Sequence, residues 1–193
     1  VGGESAGKIK TKDQMKHSAI CNQFYVYSGA ENMVNMMKYI CSQVLHEEMD
    51  YQEPIFIPWE GIFHPDSKEI FQSTKDYFAW KEPSGKGTSA LLVSRTAWLS
   101  GDIEVERALI KHIEKNGYTA LPIFSYAMAD IDLGAKGTAY AIETFCFDGY
   151  GQPIVDGVIR MTGFFLQDTD EYANTSESSV MSRLNCPIVK PIC

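Results

Sequence analysis

Thr88-Ser89-Ala90-Leu91-Leu92-Val93-Ser94 is an unbroken apolar run framed by hydroxyl residues, with no alternation of polar and apolar positions. A strand of this kind is buried on both faces, which is the situation of strands in a parallel sheet. The sequence on its C-terminal side agrees. Residues 102–116 predict an amphipathic helix carrying Val105, Leu109, Ile110 and Ile113 on one face, closed by Gly117 in a position that favours a left-handed conformation. Residues 118–125 then predict a second strand and 136–145 a second helix. Beyond the turn Gly149-Tyr150-Gly151-Gln152-Pro153, residues 157–162 predict a third strand, 177–184 a short helix and 188–192 a fourth strand. Short strands alternating with helices imply right-handed crossovers. The expected fold is therefore α/β, a flavodoxin-like or Rossmann-like parallel sheet of about four strands with helices on both faces.

Upstream, the pattern is less regular. Residues 1–18 are rich in glycine and lysine, without periodicity, and read as a poorly ordered lead-in. Residues 19–27 (A-I-C-N-Q-F-Y-V-Y) carry the aromatic and β-branched content of a strand, and 31–48 predict a helix with Met33, Met36, Met37, Ile40, Val44 and Leu45 on a core face. Ser28 and Glu31 have the spacing of a capping box for it. Residues 49–65, with Pro54, Pro58 and Pro65 among aromatics, read as an extended connector. From Gly61-Ile62-Phe63-His64-Pro65-Asp66 the chain changes character. Asp66 with Glu69 predicts a helix start, with Ile70, Phe71, Tyr77, Phe78 and Trp80 on its apolar face. The organisation expected is a lead-in at 1–18, a strand-helix segment with its connector at 19–60, and an α/β layer at 61–193.

The chain has 193 residues, 45% hydrophobic and 22% charged, with net charge −8. That is enough chain to bury a core, and a poor match to a general nucleic-acid surface, which needs clustered cations. Lys8, Lys10, Lys12 and Lys16 read as a solvated arm. The cysteines Cys21, Cys41, Cys146, Cys186 and Cys193 are widely spaced, without C-x-x-C or zinc-ligand spacing, which fits a reducing, cytoplasmic setting. No apolar run approaches the roughly 20 residues that cross a bilayer, and the first residues lack signal-peptide order. Val1 without a preceding Met, and Cys193 directly after Pro191-Ile192, are the ends expected of a piece of a larger polypeptide.

Candidate chemistry gathers at strand ends. Arg95 follows the first strand of the periodic half, and Ser100-Gly101-Asp102 leads toward a helix N-terminus. Open α/β sheets take ligands outside the carboxyl ends of their strands, where helix N-termini attract anions. A guanidinium there receives carboxylate or phosphate, or else pairs with Asp102. Gly163 and Phe164 sit on the same rim, offering close backbone approach and a flat apolar surface, or core closure. His64 is either a titrating residue or a turn-forming one. Gly2-x-x-x-x-Gly7-Lys8 imitates a phosphate-binding loop, but Ile9 stands where a hydroxyl is required and no strand precedes it. Asp130, Asp132, Asp168, Asp170 and Glu171 are acidic loop residues without convergent metal-ligand spacing. No catalytic set and no metal site is predicted.

Several segments in order resemble the large subunit of the class I tetrapyrrole metal chelatases, cobaltochelatase more than magnesium chelatase. They are Tyr27-Ser28-Gly29-Ala30-Glu31-Asn32-Met33, Gly61-Ile62-Phe63-His64-Pro65-Asp66, Tyr77-Phe78-Ala79-Trp80, Arg95 with Gly101-Asp102, Leu121-Pro122-Ile123-Phe124-Ser125, Thr162-Gly163-Phe164, and Leu184-Asn185-Cys186-Pro187-Ile188. Glu31, Asn32, His64, Pro65 and Pro187 are the remaining family positions. The chain departs from the pattern at Thr96-Ala97, where the family reads Ser-His, and at Ser28, where it reads Gly. The resemblance implies a segment of a large cytoplasmic subunit that binds tetrapyrrole and inserts cobalt or magnesium. It also implies AAA+ ATPase partner subunits that hold ATP and magnesium, and no cofactor bound by this segment itself. The alternative left open by the residues is a stand-alone α/β module binding a small anion.

Overall fold

The computed structural model describes residues 11–162 and 176–191. The chain divides into two compact units, Val1–Ile57 and Pro58–Cys193.

The first unit is helical. Helix α1 (Lys12–Tyr27) opens on a capping box in which the Thr11 hydroxyl accepts from the Gln14 N–H and the Gln14 side chain accepts from the Thr11 N–H. The expected strand over 19–27 is thus the second half of a helix, and the expected lead-in is helical from residue 12. β-Propensity yields here because Phe24 is wholly buried and meets Tyr39 of the next helix at 6.1 Å. Ser28 ends α1, its N–H donating to Phe24 O, and caps nothing downstream. Helix α2 (Ala30–Gln43) starts instead after Gly29, at φ +85°, and stops short of residue 48. The core face expected from its methionines is not the inner one. Asn32, Asn35 and Tyr39 are buried, while Met37, Val44 and Leu45 are exposed.

The cause is the connector after α2. The Asn32 amide donates to Ser28 O and Ile55 O and accepts from the Ile55 N–H, at 2.8 to 2.9 Å. Asn35 accepts from the Gln52 N–H at 3.0 Å and donates to Glu31 O. Two amides one helical turn apart therefore clip an extended strap to α2, and the bonds of these buried side chains to the strap backbone fix which face turns inward.

The second unit is the α/β layer. Its elements are β1 (Gly61–Ile62), α3 (Thr74–Trp80), β2 (Thr88–Ser94), α4 (Arg95–Ser100), α5 (Glu104–Lys115), β3 (Thr119–Ser125), α6 (Gly137–Phe145), β4 (Gly157–Arg160), α7 (Ser176–Leu184) and β5 (Ile188–Val189). The sheet order is β1-β3-β2-β4-β5. β2, β3, β4 and β5 are parallel, as expected, and β1 adds an antiparallel edge to β3. Taken alone, the parallel strands have the flavodoxin-like 2-1-3-4 order.

Successive side chains of the central strands feed two cores. Ala90, Leu92, Leu121, Ile123 and Val158 join one cluster with residues of α3, α6 and α7; Leu91, Val93, Ala120 and Phe124 join another with Ile103 and Ile110. Trp98 of α4 stacks on Phe124 at 3.9 Å. The helix expected from Asp66 does not form there. Ile62 and Phe71 exchange both backbone hydrogen bonds at 2.9 Å, which holds the intervening segment as a return loop. Helix α3 starts at Ser73, whose hydroxyl accepts from the Asp76 N–H. Sheet-edge pairing overrides a local capping box because it satisfies two buried backbone groups at once.

Candidate functional site

In this strand order the chain reverses direction around β2, so the crevice where doubly wound proteins take ligands lies at the carboxyl ends of β2 and β4. Ser94 and Arg95 lie at the end of β2, Ser125 and Tyr126 at the end of β3, and Arg160 at the end of β4. The register sets Leu92 beside Arg160 and Ser94 beside Ser125.

Arg95 is in this edge but buried. Its Nε donates to Pro58 O at 2.9 Å, and its guanidinium lies 4.2 Å from the centroid of the Trp59 ring. Burial lowers its pKa to about 10, against an opposing pull from Glu60 and Tyr126. It is therefore charged at neutral pH, and it holds the segment Pro58–Trp59–Glu60 over the strand ends.

Glu60 completes this edge. Its Oε1 accepts from the N–H groups of Lys136 and Gly137, both at 2.8 Å, so a carboxylate distant in sequence caps α6, which lacks a local side-chain cap. Gly137 is required there. Its φ is +81°, and a Cβ would stand 2.7 Å from Ala129 N and from Met128 C. Thr138 and Ser125 share a hydroxyl hydrogen bond of 3.0 Å, and Tyr126 meets Trp59 edge-on at 5.6 Å. Lys136 lies 4.2 Å from the Tyr140 ring centroid and, with Thr144, lowers the phenol's pKa. Arg160, also buried, donates through Nε to Thr162 Oγ1 at 2.9 Å.

The other residues singled out in the sequence are dispersed. Gly101 is the left-handed C-cap of α4 (φ +77°), and with the N–H of Asp102 donating to Ala97 O it closes α4 instead of opening a helix. Both residues are exposed. The next helix begins at Glu104, and its first turn already holds Glu104 and Glu106, charges that disfavour an anion at that N-terminus. α4 is absent from the sequence expectation because it is only six residues long and its Ser94 N-cap makes no side-chain hydrogen bond. Gly163, Phe164, Asp168, Asp170, Glu171 and the Gly2 to Lys8 stretch lie outside the described residues. Pro187 O accepts from the Val158 N–H and seats β5 on β4.

His64 stands toward the opposite end of β3. Its Nδ1 lies 3.1 Å from the Asp66 N, and its Nε2 lies 3.0 Å from Glu114 Oε1 and 3.1 Å from Lys81 Nζ. Glu114 also pairs with Lys81, and the His64 ring packs 5.1 Å from Trp80. The imidazole ties the C-terminal ends of α3 and α5 to the turn after β1. Among the described residues, no three His, Cys, Asp or Glu side chains converge to hold a metal ion. Asp130 spends Oδ1 on the N–H groups of Asp132 and Leu133.

Trp59, Glu60, Gly137, Thr138 and Arg160 are absent from the sequence expectation. One signal was present. Lys136-Gly137 begins a predicted helix with no Ser, Thr, Asp or Asn at its start, which calls for a cap from elsewhere in the chain.

The fold and its built strand-end edge define a doubly wound α/β protein of flavodoxin-like order. The profile of the CobN/Magnesium Chelatase family matches residues 22–193, and the chain belongs to that family. Relatives include an uncharacterized protein of Methanocaldococcus jannaschii, 26% identical over 91% of this chain and 14% of its own. A magnesium-chelatase subunit of Chlorobaculum parvum is 27% identical over 81% of this chain and 12% of its own. The chloroplastic magnesium-chelatase protein ChlH of Oryza sativa subsp. indica is 24% identical over 75% and 11%. The catalytic subunit of cobaltochelatase from Mycobacterium tuberculosis has a similar fold, with TM-score 0.59 and 16% identity over 92% of this chain and 13% of that one. The chain thus spans only about one-seventh or less of the length of these relatives. No described helix is long and apolar enough to cross a membrane.

Proposed function

We propose that this chain is one segment of the large, tetrapyrrole-binding subunit of an ATP-dependent metal chelatase, forming a wall of the tetrapyrrole cleft or an assembly surface, without catalytic activity alone. Cobalt insertion into a corrin precursor is favoured over magnesium insertion into a porphyrin. The ordered motif set supports cobalt, while the magnesium-chelatase names among the relatives pull the other way. The full subunit works with AAA+ ATPase partners that carry ATP and magnesium, and the inserted cobalt or magnesium ion is substrate.

The observation that carries the reading is the strand-end edge itself. Trp59 and Arg95 are buried against one another, Tyr126 meets Trp59 edge-on, and Glu60 locks the segment onto α6. A buried, cross-bonded edge of this kind suits a rigid wall or an assembly element better than a proton-transfer centre. The test is metal insertion by the full-length subunit with its ATPase partners and ATP, comparing cobalt with a corrin precursor and magnesium with a metal-free porphyrin. Formation of the cobalt product is expected. Failure to insert either metal, or to bind either macrocycle by spectral titration, overturns the reading.

A further inference from the structure

Helix α2 presents an organised apolar face that the described residues of its own unit leave uncovered. Val34, Met37, Cys41 and Val44 recur at intervals of three and four, one side of the helix, and Leu45 continues the row. Val34 is 54% exposed, Met37 59% and Leu45 61%. Singly exposed apolar side chains are ordinary, but a row at helical spacing is not. Its exposure also has a structural cause. The inner positions of α2 are taken by Asn32 and Asn35, whose amides are spent on the strap backbone, so the helix cannot rotate its apolar row inward without breaking those bonds.

Beside the row, a groove of about 450 Å³ opens between α2 and the segment Asp50 to Gln52. Val34, Asn35 and Tyr51 line it, with Glu31, Lys38 and Asp50 supplying charge. An apolar strip with a polar margin and an adjoining recess has the anatomy of a docking surface. A ridge at three-and-four spacing is shaped to seat between the ridges of another helix.

We propose that the Val34–Met37–Cys41–Val44 face of α2 docks a helix from the remainder of the large subunit, with one of its side chains anchored in the groove beside Tyr51. This rests on the large-subunit reading above. The size of the relatives names the occupant: this chain amounts to 14% of the Methanocaldococcus relative, so in a protein of that build most of the polypeptide lies outside the segment and is covalently tethered to it. Tethering makes a docking partner available at high effective concentration without a separate binding protein.

Hydroxyl-radical footprinting tests the proposal, with Met37 as the probe, in the 193-residue chain and in the full-length subunit. Met37 is expected to be oxidised in the former and protected in the latter. Equal oxidation in both overturns the proposal. So does protection already present in the 193-residue chain, and protection there that rises with concentration identifies a second copy as the occupant. Met37→Glu provides a second readout. It should leave the melting temperature of the 193-residue chain unchanged and lower that of the full-length subunit, and an unchanged full-length value counts against docking. Metal insertion separates the two readings: insertion without protection removes the docking face alone, whereas protection without insertion removes the chelatase function.

Discussion

In β2, Leu91, Leu92 and Val93 are shut away from solvent and the run from Ala90 to Val93 is apolar; in α2, asparagines take the inner positions and Val34, Met37 and Val44 are turned out. The two elements satisfy backbone polarity by different means. β2 lies between β3 and β4, so both its hydrogen-bonding edges are used by neighbouring strands and its side chains are free to be wholly apolar. The strap on α2 has no strand beside it. Its N–H and C=O groups at Gln52 and Ile55 meet the buried side-chain amides of Asn35 and Asn32, and the helix turns those amides toward the strap. The burial of a side chain thus follows the needs of the backbone it packs against as much as its own polarity.

The contrast is most strongly tested in the core. Leu92→Ala should destabilise the second unit by about 2–5 kcal/mol, through lost transfer energy and a cavity between the sheet and α6. Met37→Ala in the first unit should change stability by roughly 0.5 kcal/mol or less, because the side chain is already in water. Denaturant unfolding of both variants checks this, and comparable losses would mean that the α2 face is not open.

A smaller effect separates the two polar clamps. Asn32→Ala leaves the Ile55 N–H and C=O without their partner and should cost about 1–2 kcal/mol locally, read as loss of amide protection at Ile55 in hydrogen exchange. Glu60→Ala strips two N–H groups at the start of α6 and should cost a similar amount, with Glu60→Gln retaining most of it, since one amide oxygen still accepts. Loss of protection at Lys136 and Gly137 is the measure. If Glu60→Gln behaved as badly as Glu60→Ala, the carboxylate charge and not its hydrogen bonding would be the dominant factor.

A further predicted effect concerns pH. Burial raises the Cys146 thiol to about 12 from 9.0, with the neighbouring Cys186 adding to it, and burial likewise raises the Tyr77 phenol, whose hydroxyl donates to Ala120 O. In the unfolded chain these groups ionise first, so the folded state binds more protons above pH 9 and loses stability as pH rises from there toward 12. The loss attributable to Cys146 should be roughly 1 kcal/mol for each pH unit in that window. Cys146→Ala should flatten the slope of stability against pH just above 9, while leaving the steeper fall that Tyr77 causes above its ordinary value. An unchanged slope would show that the thiol is accessible to solvent.

How much of this is legible in the sequence varies with how local the cause is. β2 and β3 are readable with their boundaries almost unchanged, because a strand buried on both faces carries a continuous apolar centre. Helix α6 is likewise located within one residue, and its missing cap is visible as an absence. By contrast, α1 is masked because Phe24, Tyr25, Val26 and Tyr27 have strand propensity, and the Thr11 and Gln14 capping box lies in a stretch that reads as an arm. β1 is two residues long and exists through pairing with β3 and with Phe71, neither of which leaves a periodic trace. At the strand-end edge, Arg95 is found from its position after β2. Its partners Pro58, Trp59 and Glu60 are not, since they belong to a connector.

By itself the sequence determined the α/β class, the parallel strands and the family, because apolar periodicity and ordered motifs are properties of the chain read in one dimension. Only the tertiary structure decided that Arg95 is roofed by Trp59, that Glu60 caps a helix 76 residues away, that His64 ties α3 and α5 together, and that α2 turns Met37 outward. Each of these depends on a buried polar group finding its partner across a long stretch of chain. The demand for that partner is written in every residue, but its identity is fixed only when the backbone has folded.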